Sequence, residues 1–139
     1  MSTFTAFIDF KQAYDYINRQ KLWSMLHQLG IKGNMLMTVK SLYSSVSACV
    51  RVNSLTTDWF NVSGGLRQGC ILSSLLFNLF LDNLVNFFKS LDIGISIGDE
   101  KVCILLYADD IVLIADNEHD LHLLLNALST WCDTNDMIC

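Results

Sequence analysis

The chain has 139 residues, 52% of them hydrophobic and 17% charged, and it contains no proline. That composition excludes a disordered tail or a Pro-rich linker, and the length suits a single core occupying residues 1–139. Nine Lys and Arg against fourteen Asp and Glu give a net charge of -5, which excludes a basic nucleic-acid footprint spread over the whole surface.

Phe4 to Phe10 is short and rich in aromatic and β-branched residues, which predicts a buried strand ending at Asp9. Leu22, Trp23, Met25, Leu26 and Leu29 have helical spacing, with Asn18 placed to cap the helix and Gly30 to stop it. A second helix is predicted with Leu36, Val39, Leu42, Tyr43 and Val46 on one face. Cys49–Val52 and Asp58–Val62 predict two strands of a hairpin with Asn53–Thr57 as the loop, and Ser63-Gly64-Gly65 closes it. From Ile71 to Leu91 the chain is apolar almost all round a helix, except for a stripe of Ser74, Asn78, Asp82 and Asn86. That stripe favours a core helix over a membrane span.

Ile93–Ile97, between Gly94 and Gly98, predicts a weak strand, and Val102–Leu106 and Ile111–Ile114 predict strong ones. Tyr107-Ala108-Asp109-Asp110 falls at the turn between the strong pair, and a final amphipathic helix begins near Asn117. The five cysteines are widely spaced without a Cys-x-x-Cys pair, so free thiols in a reducing compartment are expected. No secretory signal opens the chain, and an intracellular rather than secreted location is expected.

Asp109 and Asp110 lie between two apolar strands, although an Asp pair in a turn also has an ordinary local explanation. Asp9, at the end of a third apolar strand, changes the balance. If that strand pairs beside the hairpin, three carboxylates converge on one sheet edge and repel unless divalent cations neutralise them. Two such cations would activate a hydroxyl and stabilise a leaving phosphate oxygen, which is phosphoryl-transfer chemistry. Gly64-Gly65-Leu66-Arg67-Gln68-Gly69 leads into the long helix, where glycines allow close backbone approach and the helix N-terminus favours an anion. Glu118, His119, Asp120 and His122 read as a solvated first helical turn rather than a metal cluster. Trp23 and Trp131 are expected in the core and Trp59 in a more open position, while most of Arg19, Lys21, Arg51 and Lys89 are expected on ordinary surface.

Phe7-Ile8-Asp9-Phe10-Lys11-Gln12-Ala13-Tyr14-Asp15, then Gly65-Leu66-Arg67-Gln68-Gly69-Cys70-Ile71-Leu72-Ser73 with Leu76-Phe77-Asn78-Leu79, then Tyr107-Ala108-Asp109-Asp110, resemble the successive palm motifs of reverse transcriptases. The likeness is nearest to the group encoded by non-LTR, LINE-type retrotransposons and runs from about Phe4 to the C-terminus. It implies an α+β polymerase palm, an antiparallel sheet with helices packed on one face, and RNA-directed DNA synthesis. The implied partners are an RNA template, a DNA primer and deoxynucleoside triphosphates, with two Mg2+ ions that Mn2+ may replace, and no membrane.

By the same resemblance Asp9, Asp109 and Asp110 are the catalytic carboxylates that hold the metals, with the Phe10 carbonyl as an extra ligand. Lys11, Gln12 and Ala13 match the backbone near the incoming triphosphate, Tyr14 the side chain that crowds the sugar 2′ position, and Gln68 and Gly69 the nucleotide and template contacts. Ser74 stands where the family usually has proline, and a serine cap is expected to substitute. The family's fingers and thumb fall outside these residues, so the isolated chain is expected to be inactive as a polymerase. The alternatives are a non-catalytic remnant that keeps the palm fold and, setting the resemblance aside, an acidic pocket on a parallel α/β sheet.

Overall fold

The computed structural model describes residues 2–139. Strand β1, Phe4–Asp9, alternates half-buried Ala6 and Ile8 with exposed Thr5, Phe7 and Asp9. It is an edge strand of a three-stranded sheet ordered β1-β9-β8, where β8 is Ile104–Tyr107 and β9 is Asp110–Ala115. The expected burial of the first strand therefore does not hold. Only one face of the sheet is covered, and Phe7, on the other, is 81% exposed.

Helix α1, Ala13–Tyr16, follows a turn in which Gln12 is left-handed (φ 48). Helix α2, Arg19–Gln28, is capped by Asn18, whose side-chain oxygen accepts from the Gln20 and Lys21 amides at 2.9 and 3.2 Å. Gly30 ends it at a φ of +91. Helix α3, Gly33–Tyr43, buries Leu36 and Tyr43 and half-buries Val39. Leu42 departs from the expected face and is 48% exposed, because it is rotated one residue step away from buried Tyr43. Val46 lies beyond the helix end.

The hairpin closes earlier than the sequence suggests. Strand β2 (Ser47–Ala48) pairs with β5 (Phe60–Asn61), and inside them β3 (Arg51–Val52) pairs with β4 (Leu55–Thr56). Asn53 accepts a left-handed φ of 54, so the turn sits at Asn53-Ser54 and the expected loop contains β4.

Helix α4, Ile71–Lys89, is long and apolar enough to cross a bilayer by length and composition. Its Leu76, Phe77, Phe80, Leu81, Leu84 and Phe88 face fills the core, while Ser74, Asn78, Asp82 and Asn86 face solvent as a polar stripe. The helix is nonetheless not buried all round, and Ile71 and Leu75 are exposed. Strand β6 (Ile95–Ile97) pairs with β7 (Glu100–Val102). The single strand expected over 102–106 is divided at Cys103, because β7 belongs to the β6 hairpin while β8 pairs with β9. Helix α5, Glu118–Asn135, starts at Asn117, whose side chain accepts from the Asp120 amide at 2.9 Å.

Helix α5 covers the inward face of β9 and β1, and α4 packs between α2 and α5. Trp131 joins the layers, with Phe80 edge-on at 5.6 Å and Phe10 at 6.3 Å. Every strand pair is antiparallel, which removes the parallel α/β alternative. Within α4 two substitutions separate the faces. Phe77→Ala, at a fully buried position, is expected to cost about 3–5 kcal/mol in urea unfolding, and Leu75→Ala, on the exposed side, to stay within about 0.5 kcal/mol.

Candidate active site

Asp9 is the last residue of β1 and Asp110 the first of β9, and the register makes them direct partners across the ladder. Asp110 is also opposite Tyr107 on β8, and the next row is Phe7, Val112 and Leu105. Directly opposed residues in antiparallel strands point to the same face with Cβ atoms about 4.5–5.5 Å apart. Asp9 and Asp110 therefore stand side by side on the uncovered face, in one row with exposed Tyr107 and one row beyond exposed Phe7 and Leu105.

Asp109 is half-buried in the two-residue turn that joins β8 to β9, preceded by Ala108 at a left-handed φ of 53. Among the described residues no three His, Cys, Asp or Glu side chains form a ready-made metal cage. The expected convergence of three carboxylates is thus realised as an opposed pair with the third beside it in the chain. The reason is geometric, since the register aligns residues 9 and 110 while a turn residue is not bound to the pleat. The donor chemistry fits a hard divalent cation, because all three groups offer carboxylate oxygens and an opposed like-charged pair destabilises the ladder until neutralised.

Phe10 buries its side chain, Lys11 and Gln12 are exposed in the following turn, and Ala13 is buried at the start of α1. The Lys11 amide donates to the Ile138 carbonyl at 2.8 Å, so this member of the expected triphosphate-facing backbone already has a partner. Tyr14 stacks on Phe77 with centroids 4.8 Å apart.

The glycine-rich segment is tied to the first motif through backbone. Leu66 N–H donates to the Tyr14 carbonyl at 2.7 Å and Gly65 N–H to that of Ile17 at 3.0 Å. At Gly65 (φ +70) a Cβ would meet the Asp15 carbonyl oxygen at 2.8 Å and that of Tyr14 at 2.9 Å, so glycine is required. Gln68 Nε2 lies 3.5 Å from both Asp15 carboxylate oxygens, and Gly69 follows at φ +80. Ser74 is exposed and does not cap α4. The N-cap is Cys70, which makes no side-chain cap bond, because the helix begins three residues earlier, at Ile71. The Ser73 and Leu72 amides at this helix start pull the Cys70 thiol below its usual range.

Arg19, one of four cations of which most are expected on ordinary surface, is only 9% exposed. Its guanidinium donates to the carbonyls of Gly65 (2.8 Å), Tyr43 (3.0 Å), Val62 (3.1 Å) and Gly64 (2.9 Å) and lies over the Tyr43 ring. An arginine beside the capping Asn18, with glycines far along the chain, carries no local signal of this role. The large polar cleft of about 1050 Å³ lies beside it, between α2, α3 and the β2–β5 hairpin, and none of the three aspartates lines it. Asp9 and Asp110 stand instead on open sheet surface, with Asp109 half-buried in the adjoining turn.

The whole chain, residues 1–139, matches the model of the family "Reverse transcriptase (RNA-dependent DNA polymerase)". The chain belongs to that family. Its relatives point to the non-LTR retrotransposon group. It is 32% identical over 113 residues to the Pol polyprotein of the type-1 retrotransposable element R2 of Popillia japonica, covering 80% of this chain and 16% of the relative. It is 27% identical over 125 residues to the Pol polyprotein of the type-2 element R2DM of Drosophila melanogaster, covering 90% of this chain and 12% of the relative. The chain thus spans less than a fifth of the length of either. Among solved structures, apo telomerase from Candida tropicalis, truncated from its C-terminal domain, matches with a TM-score of 0.69 and 19% identity, over 91% of this chain and 27% of that one. That likeness establishes the shared fold.

The buried arginine yields a direct test. Arg19→Met leaves four carbonyls without their donor and is expected to cost about 2–4 kcal/mol in denaturant unfolding, with Arg19→Lys recovering part of the loss.

Proposed function

We propose that this chain is the nucleotidyl-transfer palm of a retrotransposon reverse transcriptase, in which Asp9, Asp109, Asp110 and the Phe10 carbonyl hold two divalent cations, Mg2+ or Mn2+. The direct opposition of Asp9 and Asp110 carries this reading, since it sets two carboxylates together on an open face at the end of the sheet. When bound, the cations supply activation of a primer 3′-hydroxyl and charge stabilisation on the leaving pyrophosphate. The residues of the chain supply placement. Tyr14, held by Phe77, limits room at the sugar 2′ position and so favours deoxynucleotides. Gln68 and Gly69, tied to the first motif through Gly65 and Leu66, contact the nucleotide and template.

The exposed apolar surface of Phe7 and Leu105, with Tyr107 in the carboxylate row itself, supports a seat for a primer–template duplex, where sugar edges meet aromatic and aliphatic surface. The net charge of -5 is compatible with that role when the basic, duplex-holding parts lie elsewhere in a longer protein and bound cations offset the three aspartates. On this reading the isolated palm binds metal but extends no primer.

Calorimetric titration with Mn2+ is expected to show binding that weakens at least about tenfold in Asp9→Asn and in Asp110→Asn, the loss of one charged ligand costing more than 1.4 kcal/mol. Unchanged affinity in both variants favours the non-catalytic remnant. In the presence of Mn2+, Tyr14→Ala is expected to narrow the preference for dATP over ATP, measured by competition binding, with little change in dATP affinity. A primer-extension assay on an RNA template with Mg2+ checks the inactivity of the isolated chain, and robust extension contradicts it.

A further inference from the structure

We propose that Cys132 and Cys139 form a thiol–disulfide pair that clasps the C-terminal segment against the backbone next to the carboxylate edge. Helix α5 ends at Asn135, and Asp136 adopts a left-handed conformation (φ 60, ψ 30) that reverses the chain. The Met137 amide then donates to the Cys132 carbonyl at 2.9 Å, so the following residues run back toward the helix. This brings the two sulfurs within 3.0 Å, close to the separation of about 2.05 Å in a disulfide.

The segment is held from several sides. Asp136 pairs with Lys21 at 2.7 Å and accepts from the Asn18 side-chain Nδ2 at 2.9 Å, and these two partners keep its carboxyl below the usual range. Met137 is buried in the core. The carbonyl of Ile138, directly before Cys139, accepts from the Lys11 amide two residues after Asp9. The pair thus closes a short loop whose far side is bonded to the turn that carries Phe10, Lys11 and Gln12.

The two thiols are unequal. Cys139 is exposed and reachable, whereas Cys132 is buried and burial keeps it protonated. With hydrogen peroxide as oxidant, the Cys139 thiolate attacks one peroxide oxygen, the O–O bond breaks, and after proton uptake the products are a sulfenic acid and water. The Cys132 sulfur then attacks the sulfenic sulfur, the S–S bond forms, the S–O bond breaks, and the Cys132 proton leaves with hydroxide as a second water. Two thiols are oxidised by two electrons in total and one peroxide is reduced by two. A dithiol reductant reverses the change.

The purified chain, treated with hydrogen peroxide and digested without reduction by a protease that cleaves before aspartate, separates Cys132 from Cys139 by cuts at Asp133 and Asp136. The expected product is the peptide ending at Cys132 joined to 136–139, with an intact mass lower by two hydrogens, restored by dithiothreitol and absent in Cys139→Ser. Hydrogen exchange at the Lys11 amide is expected to slow on the order of tenfold on oxidation in the unsubstituted chain and not in Cys139→Ser. Over-oxidation of Cys139 to a sulfinic or sulfonic acid, or bridging between chains through it, with no 132–139 link overturns the pairing. A link that leaves Lys11 exchange unchanged overturns the clasp.

Discussion

The register between β1 and β9 is the constraint on which the site depends. Six consecutive pairs, from Phe4 opposite Ala115 to Asp9 opposite Asp110, fix it. Ile8, Ile111 and Leu113 hold one face of these strands to the core, so a one-residue slip would turn apolar side chains outward and a carboxylate inward. The apolar face thereby enforces an arrangement that the carboxylates alone would resist, since their charges oppose it. Stability on one side of the sheet maintains electrostatic tension on the other.

A second junction joins the glycine-rich segment to the first motif. Here the linking atoms are backbone amides and carbonyls of Tyr14, Ile17, Gly65 and Leu66, and Arg19 gathers the carbonyls on either side. This link runs through backbone, so it does not depend on the side chains of Tyr14 and Gln68. The buried guanidinium exacts desolvation, and its acceptors and the Tyr43 ring compensate.

Local signals in the sequence are strong where one residue type solves one backbone problem. Asn18 and Asn117 cap their helices, Gly30 ends the one that Asn18 begins, and the turn between β8 and β9 falls at Ala108-Asp109. The candidate aspartates are legible for the same reason, since a carboxylate at the end of an apolar run conflicts with its surroundings. What the sequence does not reveal is long-range. The exposure of Phe7 depends on which strands flank β1 and which face α5 covers, and the burial of Arg19 depends on carbonyls more than forty residues away as well as on Tyr43. The strand break at Cys103 is similar, because the choice of partner changes there rather than any propensity.

The amphipathic division of α4 also bears on synthesis. Phe80 packs on Trp131, roughly 50 residues later in the chain, a distance a ribosome covers in several seconds at about 5–20 residues per second. During that interval the helix emerges with Phe80 lacking the cover that α5 later provides. Until α5 docks, the helix carries a length and hydropathy sufficient for a membrane crossing with part of its apolar face uncovered. The solvent-facing Ser74, Asn78, Asp82 and Asn86 stripe is present from the start and sets how strongly the nascent helix competes for a bilayer.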